Sequence, residues 1–278
     1  MKKNIKATFA LNLCIMLLAI FCLPLTIQKT ISSEKRYCDA FYIGGGQAVY
    51  VNETLDYDYY VNSDLTLTTL EIPTYLPHTE LNSCAPTAGA NCIGYYDFYN
   101  QNLIPNYDTY FLDGGYYSPK AKTSQIVTVM STLYTGMGTN VGGDGTTQSG
   151  FYSGMNSYIQ NHGYSMTYTS MGSGSTMINN CKSAFNNDRI VVLFLNSYEY
   201  IEFVDFGLNS TNYSFTVRMK TVGHVVFASG YHQYEFYANN QLIETDKFFE
   251  VSFSDGSYGL LRINDTSCID NAYCLYVS

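Results

Sequence analysis

Residues Ile190 to Leu195 read Ile-Val-Val-Leu-Phe-Leu, six apolar side chains in succession. A run that lacks the alternation of a half-exposed strand is a buried strand. What flanks it differs on the two sides. Before it, a helix is expected from 84 to about 100, stopped ahead of Pro105, with Pro86 early where a helix tolerates it and Ser83 or Asn82 able to cap. Residues 118–133 have helical character. Phe151 to Asn161 carries Phe151, Met155, Tyr158 and Ile159 at helical spacing and ends at His162-Gly163, and Met177 to Phe185 is a further helix. After the run come strands at Tyr213 to Met219, His224 to Ser229, Tyr234 to Ala238, Phe248 to Phe253 and Gly259 to Ile263. Helices early and antiparallel strands late make an α+β fold. No internal repeat or low-complexity linker interrupts it.

The chain has 278 residues, 46% hydrophobic and only 13% charged, enough for a sizeable core. Tyrosine is abundant at 28 and tryptophan absent, a composition suited to short strands and turns. Lys2, Lys3 and Lys6 precede a nearly unbroken apolar stretch from Ala7 to Ile27, the layout of a secretory signal, or of an uncleaved anchor if no cleavage follows Pro24. Residues 1–33 are therefore expected to be a signal peptide or N-terminal anchor, 34–70 a strand extension or short pro-region, and 71–278 the main domain. The formal net charge is -9, and near -12 without those three lysines. No basic cluster follows residue 36, which argues against nucleic acid as a partner. The expected location is secreted or extracytoplasmic, with no membrane contact beyond an N-terminal anchor.

Outside that segment six cysteines remain: Cys38, Cys84, Cys92, Cys181, Cys268 and Cys274. Export permits disulfides, and Cys268 with Cys274 could close a small loop, or Cys38 could pair with one of them. Cys92, well inside a helix, reads as a plain buried thiol. No Cys-x-x-Cys or His-x-x-x-His spacing occurs, so neither a metal nor an organic cofactor is expected.

One constellation carries chemistry. A cysteine hydrolase needs a thiolate, which a helix N-terminus and a neighbouring imidazolium both favour. Cys84 stands where the first helix starts, and backbone amides there can hold an oxyanion. His224 opens an apolar strand after Val222-Gly223, and Asp255 in Ser254-Asp255-Gly256 follows a strand end, where it could orient the imidazole. Asp246 and Asn264 are its rivals.

The block Cys84-Ala85-Pro86-Thr87-Ala88-Gly89-Ala90-Asn91 with Tyr95-Tyr96-Asp97 resembles the nucleophile motif of C39-like peptidases, a papain-like group. Gly223-His224-Val225-Val226 with Gly230-Tyr231 resembles their histidine strand, and Ser254-Asp255-Gly256 is similar to an Asp-Gly that follows in related proteins. Asn102-Leu103-Ile104-Pro105-Asn106 and Gly145-Thr146-Thr147 also resemble that subgroup, so the likeness spans about residues 70–265. It implies a papain-like cysteine peptidase fold, with the nucleophile helix packed on an antiparallel sheet, a Cys84-His224-Asp255 triad and a peptide or protein substrate. Two departures stand out. Ala85 replaces the commoner glycine. Where many relatives carry an oxyanion-donating glutamine, about six residues before the cysteine, this chain has His78; Asn82 is the substitute donor.

Each residue also has a plainer reading. Cys84 could be a structural thiol, His224 a strand-end histidine, Asp255 a turn acid and Asn82 a cap. His162 and His232 read as surface or loop residues, and Gly142 to Gly150 as a loop lacking the glutamate of a calcium site or the lysine of a phosphate loop. Sequons at Asn52, Asn209, Asn212 and Asn264 fit chance in such a composition. Two alternatives to hydrolysis remain open: transglutaminase-like or amidase acyl transfer, and a catalytically inactive binding or adhesion protein of the same fold.

Overall fold

The computed structural model describes residues 36–43, 48–67, 72–75, 77, 82–100, 102–107, 111–112, 116–117, 124–143, 145–196, 198–204, 212–220, 223–253 and 258–278. Residues 1–33, expected as a signal peptide or N-terminal anchor, His78 and Asp255 lie outside them. Among the described residues no helix is long and apolar enough to cross a membrane.

Among the described residues the fold is mixed, with four α-helices and an open antiparallel sheet. In chain order the elements begin β1 (Arg36–Ile43), β2 (Ala48–Asp56), β3 (Tyr59–Leu67), α1 (Cys84–Asp97), the small hairpin β4 (Phe111–Leu112) and β5 (Tyr116–Tyr117), α2 (Ser124–Gly136) and α3 (Gln148–Asn161). They continue with β6 (Met166–Ser170), α4 (Gly174–Phe185), β7 (Ile190–Leu195), β8 (Tyr198–Val204), β9 (Asn212–Lys220), β10 (His224–Ala238), β11 (Gln241–Ser252), β12 (Tyr258–Arg262), a 3-10 turn at Thr266–Cys268 and β13 (Ile269–Val277). The strand order is β1-β2-β9-β8-β12-β11-β10-β7-β13-β6, with β3 also on β10.

β7 occupies the interior position that its sequence demands. It pairs with β10 on one side and β13 on the other, and all six of its residues are buried. Its alternate side chains enter two cores. Ile190, Val192 and Phe194 pack with α1, α2 and α3, while Val191, Leu193 and Leu195 pack with Cys181 and Phe185 of α4. With helices on both faces, neither face of β7 can be polar, and burying each such side chain contributes about 1.5–3 kcal/mol.

β10 is long enough to serve two partners along one edge. His224 to Ala228 pairs with β7 and Gly230 to Tyr237 with β3, while the other edge carries β11. The sequence suggests two strands, 224–229 and 234–238, because His232 and Gln233 break the apolar pattern. The backbone runs through them, since beyond Tyr231 the strand is covered only in part and polar residues are tolerated at half-buried positions. Asn239 and Asn240, both at positive φ (51° and 58°), make the two-residue turn into β11.

α1 is buried from Ala85 to Asp97. Its small residues let the other helices approach: a Cβ on Gly89 would lie 2.9 Å from Met155 Sδ and 3.0 Å from both Leu133 Cδ1 and Met137 Cε. The helix ends at Asp97 rather than near 100, where Asp97 Oδ1 accepts the Ile104 amide at 2.7 Å. Ser83 precedes α1 but makes no side-chain cap, whereas Thr147 caps α3 by accepting from the Gly150 amide.

The cysteine pairing suggested by spacing does not form. Cys268 and Cys274 are both free thiols, as are Cys84, Cys92 and Cys181. Cys268 ends the 3-10 turn and Cys274 lies within β13. An extended run of six residues separates them by about 20 Å, far past the roughly 7 Å that a disulfide spans.

Candidate functional site

The site starts with the way α1 meets β10. The first turn of a helix leaves backbone amides without intrahelical partners. Cys84 occupies that turn, half-buried, with the Thr87 amide already bonded to the Ser83 carbonyl at 3.0 Å. Burial pushes the Cys84 thiol up. Hydrogen bonds from the backbone amides of Val225, Ala85 and Cys84 itself pull the other way without reversing it. The Val225 contact is the informative one, since it seats the sulfur against the second residue of β10, whose first residue is His224.

His224 is half-exposed and pairs with Leu195 of β7. Beside it Gly223 is exposed, and among the described residues a Cβ there would meet nothing nearer than the Leu195 carbonyl at 3.7 Å. Val225, 5% exposed, and its β7 partner Phe194, 9% exposed, line the sheet just inside.

Asp255 falls outside the described residues. β11 ends at Ser252, which pairs with Phe227, three residues along β10 from His224; Asp255 is three residues further along the chain from Ser252. Its two rivals belong elsewhere. Asp246 is 1% exposed and accepts from Arg262 Nη2 at 2.6 Å, Arg262 Nε at 3.1 Å and Asn264 Nδ2 at 2.7 Å. It lies opposite Tyr234, ten residues and about 30 Å along β10 from His224. Asp246 is therefore half of a structural ion pair with Arg262, and Asn264 supports it with a further hydrogen bond.

Asn82 is exposed, at φ +56°, two residues before Cys84. Its Nδ2 donates to Asn140 Oδ1 at 3.0 Å. Asn140 in turn accepts from the Gly145 amide at 2.8 Å and donates to the Tyr134 hydroxyl at 2.7 Å. The loop between α2 and α3 is thus tied to the turn that carries the cysteine, and one amide hydrogen of Asn82 is committed to that tie.

A buried network escaped sequence reading. Asn91, 0% exposed, accepts the Tyr75 amide at 2.9 Å and donates to Ser252 Oγ at 3.0 Å, and Ser252 donates to the Pro73 carbonyl at 3.0 Å. It joins α1, the end of β11 and the segment that leads to the cysteine. The only signal in the sequence was an asparagine in the middle of a helix otherwise made of small and apolar residues.

The other histidines stand apart. His162 stacks on Tyr158 with ring centres 4.3 Å apart. His232, expected at the surface, is half-buried within β10 between Glu250 Oε2 and the Tyr234 hydroxyl, each at 3.3 Å. Among the described residues no group of His, Cys, Asp and Glu could hold a metal ion. Compared with known proteins, the chain matches neither a family model nor a curated sequence.

Proposed function

We propose that the chain is an exported cysteine hydrolase on a papain-like α+β scaffold, cleaving peptide bonds with Cys84 as nucleophile, His224 as its base and Asp255 as the residue that orients the imidazole. The observation that carries this reading is the hydrogen bond from the Val225 amide to the Cys84 sulfur. It supports a thiol and an imidazole meeting where the start of α1 faces the start of β10. In the proposed reaction the His224 imidazole takes the Cys84 proton. The sulfur adds to the substrate carbonyl, and the imidazolium returns the proton to the leaving amine. Water, deprotonated by His224, then releases the acyl group as a carboxylic acid and restores the thiol. The first-turn amides of α1 and the second amide hydrogen of Asn82 are the candidate oxyanion donors.

Burial holds the thiol up on its own, so a thiolate at neutral pH has to come from pairing with the His224 imidazolium. That makes the test sharp: iodoacetamide alkylation of Cys84 against pH, in the natural chain and in His224→Ala. Alkylation that persists well below pH 7 and is lost in the variant supports the hydrolase. A profile that rises only in alkaline solution, identical in both proteins, overturns it. The raised thiol would then favour the second reading, a secreted binding protein that shares the fold.

A further inference from the structure

Across the sheet from α1, where α4 packs on β13, lies a concavity of about 350 Å³. Its lining includes Thr167 and Thr169 of β6, Asn180 and Ser183 of α4, Cys274 of β13, and Arg189 just ahead of β7. Among the described residues Arg189 is the one charged side chain in that lining, and neither Asp nor Glu contributes to it.

Arg189 is exposed to solvent and held in place from two sides. Its guanidinium lies over the Tyr276 ring, 4.7 Å from the ring centre, and it donates a hydrogen bond to the Cys274 sulfur. Burial pushes the Cys274 thiol up despite that bond, so at neutral pH the sulfur is uncharged and leaves the guanidinium charge uncompensated. Among the described residues no carboxylate pairs with Arg189. A guanidinium carries more N–H donors than one sulfur can use. The neutral lining adds others. The hydroxyls of Thr167, Thr169 and Ser183, all exposed residues, donate to no described residue, and Asn180 commits one amide hydrogen to the Met171 carbonyl at 3.0 Å and keeps the other.

A fixed cation without a counter-ion, among hydroxyl donors and away from any acid, is chemistry for an anion. Charge balance selects which. One guanidinium matches one negative charge, and its planar fork fits a carboxylate through two parallel hydrogen bonds, whereas a phosphate dianion would meet half the charge it needs. The volume is at the lower end of the range for small-molecule sites and leaves room for the residue that carries the carboxylate.

We propose that this concavity is a carboxylate-binding site in which Arg189 holds the anion and the hydroxyls of Thr167, Thr169 and Ser183 complete its hydrogen bonds. It lies across the sheet from α1 and does not depend on the hydrolase reading. The carboxylate belongs either to a small free acid or to the C-terminus of a peptide.

Isothermal titration calorimetry on the full chain at neutral pH and fixed ionic strength tests this. The probes are N-acetylglycine, its neutral amide N-acetylglycinamide, acetate and inorganic phosphate. Saturable binding of N-acetylglycine in the millimolar range is expected, with the amide at least about tenfold weaker. Arg189→Gln should lose the same factor, and Arg189→Lys, which keeps the charge but not the fork, should bind several-fold more weakly than the natural chain. Thr169→Val should also weaken binding several-fold. Acetate as tight as N-acetylglycine assigns the site to free small acids; N-acetylglycine at least about tenfold tighter assigns it to a peptide C-terminus. Four results would overturn the proposal: no saturable binding, equal binding of the amide, equal binding by Arg189→Gln, or phosphate binding more tightly than either carboxylate. The comparison of acid with amide needs no variant, so it stands even if Arg189→Gln folds poorly.

Discussion

Replacing Asn91 by alanine removes the acceptor of the Tyr75 amide and the donor to Ser252 Oγ from a place with no access to water. The buried N–H left without an acceptor costs about 1–3 kcal/mol. Ser252 keeps its bond to the Pro73 carbonyl, so its loss is smaller, and the missing carboxamide leaves a void costing on the order of 1 kcal/mol. Alanine returns roughly 0.5 kcal/mol in helix propensity. The sum is a destabilisation of about 2–4 kcal/mol, a large share of the 5–15 kcal/mol typical of a folded chain. At about 2–4 °C per kcal/mol, thermal unfolding followed by circular dichroism should show Tm lower by roughly 5–12 °C. Ser252→Ala should destabilise as well, and the double variant should lose less than the sum of the two, with a coupling of about 1–2 kcal/mol. A Tm for Asn91→Ala within a degree of the natural chain, or strict additivity in the double variant, would refute the claim that this network holds α1 to the end of β11.

Other perturbations read different parts of the fold. Arg262→Ala strands the Asp246 carboxylate in the interior with only Asn264 beside it. A loss of about 3–5 kcal/mol is expected in urea unfolding, with the alkylation profile of Cys84 unchanged; a changed profile would bring Asp246 back as a partner of His224. Gly94→Ala places a Cβ 2.4 Å from the hydroxyl of buried Tyr75, so Tm should fall although alanine is the better helix former; a rise in Tm would show that Tyr75 moves freely. Burial pushes Tyr57, Tyr231 and Tyr234 each up to about 12 from the ordinary 10.0. Because the folded state holds these protons longer, the stability they confer is complete below pH 10 and is lost as pH rises toward 12. Absorbance at 295 nm should show a late-titrating tyrosine class, and the urea midpoint should fall between pH 10 and 12; a flat midpoint would refute the linkage.

What could be read along the chain was whatever depends on near neighbours. The run Ile190 to Leu195 specified a strand covered on both faces, because no rotation of it exposes a polar residue, and β7 spans the same residues. Phe151, Met155, Tyr158 and Ile159 marked the buried face of α3, and Cys84 with Pro86 marked the start of α1, since helical spacing and first-turn chemistry are local. Fold class followed from the order of such segments. Pairing depends on distant residues and needed the tertiary structure. Only there do His224–Ser229 and Tyr234–Ala238 merge into one strand, because β3 and β11 supply partners across the polar residues between them. Only there are Cys268 and Cys274 held apart by an extended strand, and Asp246 committed to Arg262 about 30 Å from the histidine it might have served. The amide of Val225 reaching the sulfur of Cys84 joins residues 141 positions apart. The sequence could name both sides of that contact, but packing α1 against the sheet decided that they meet.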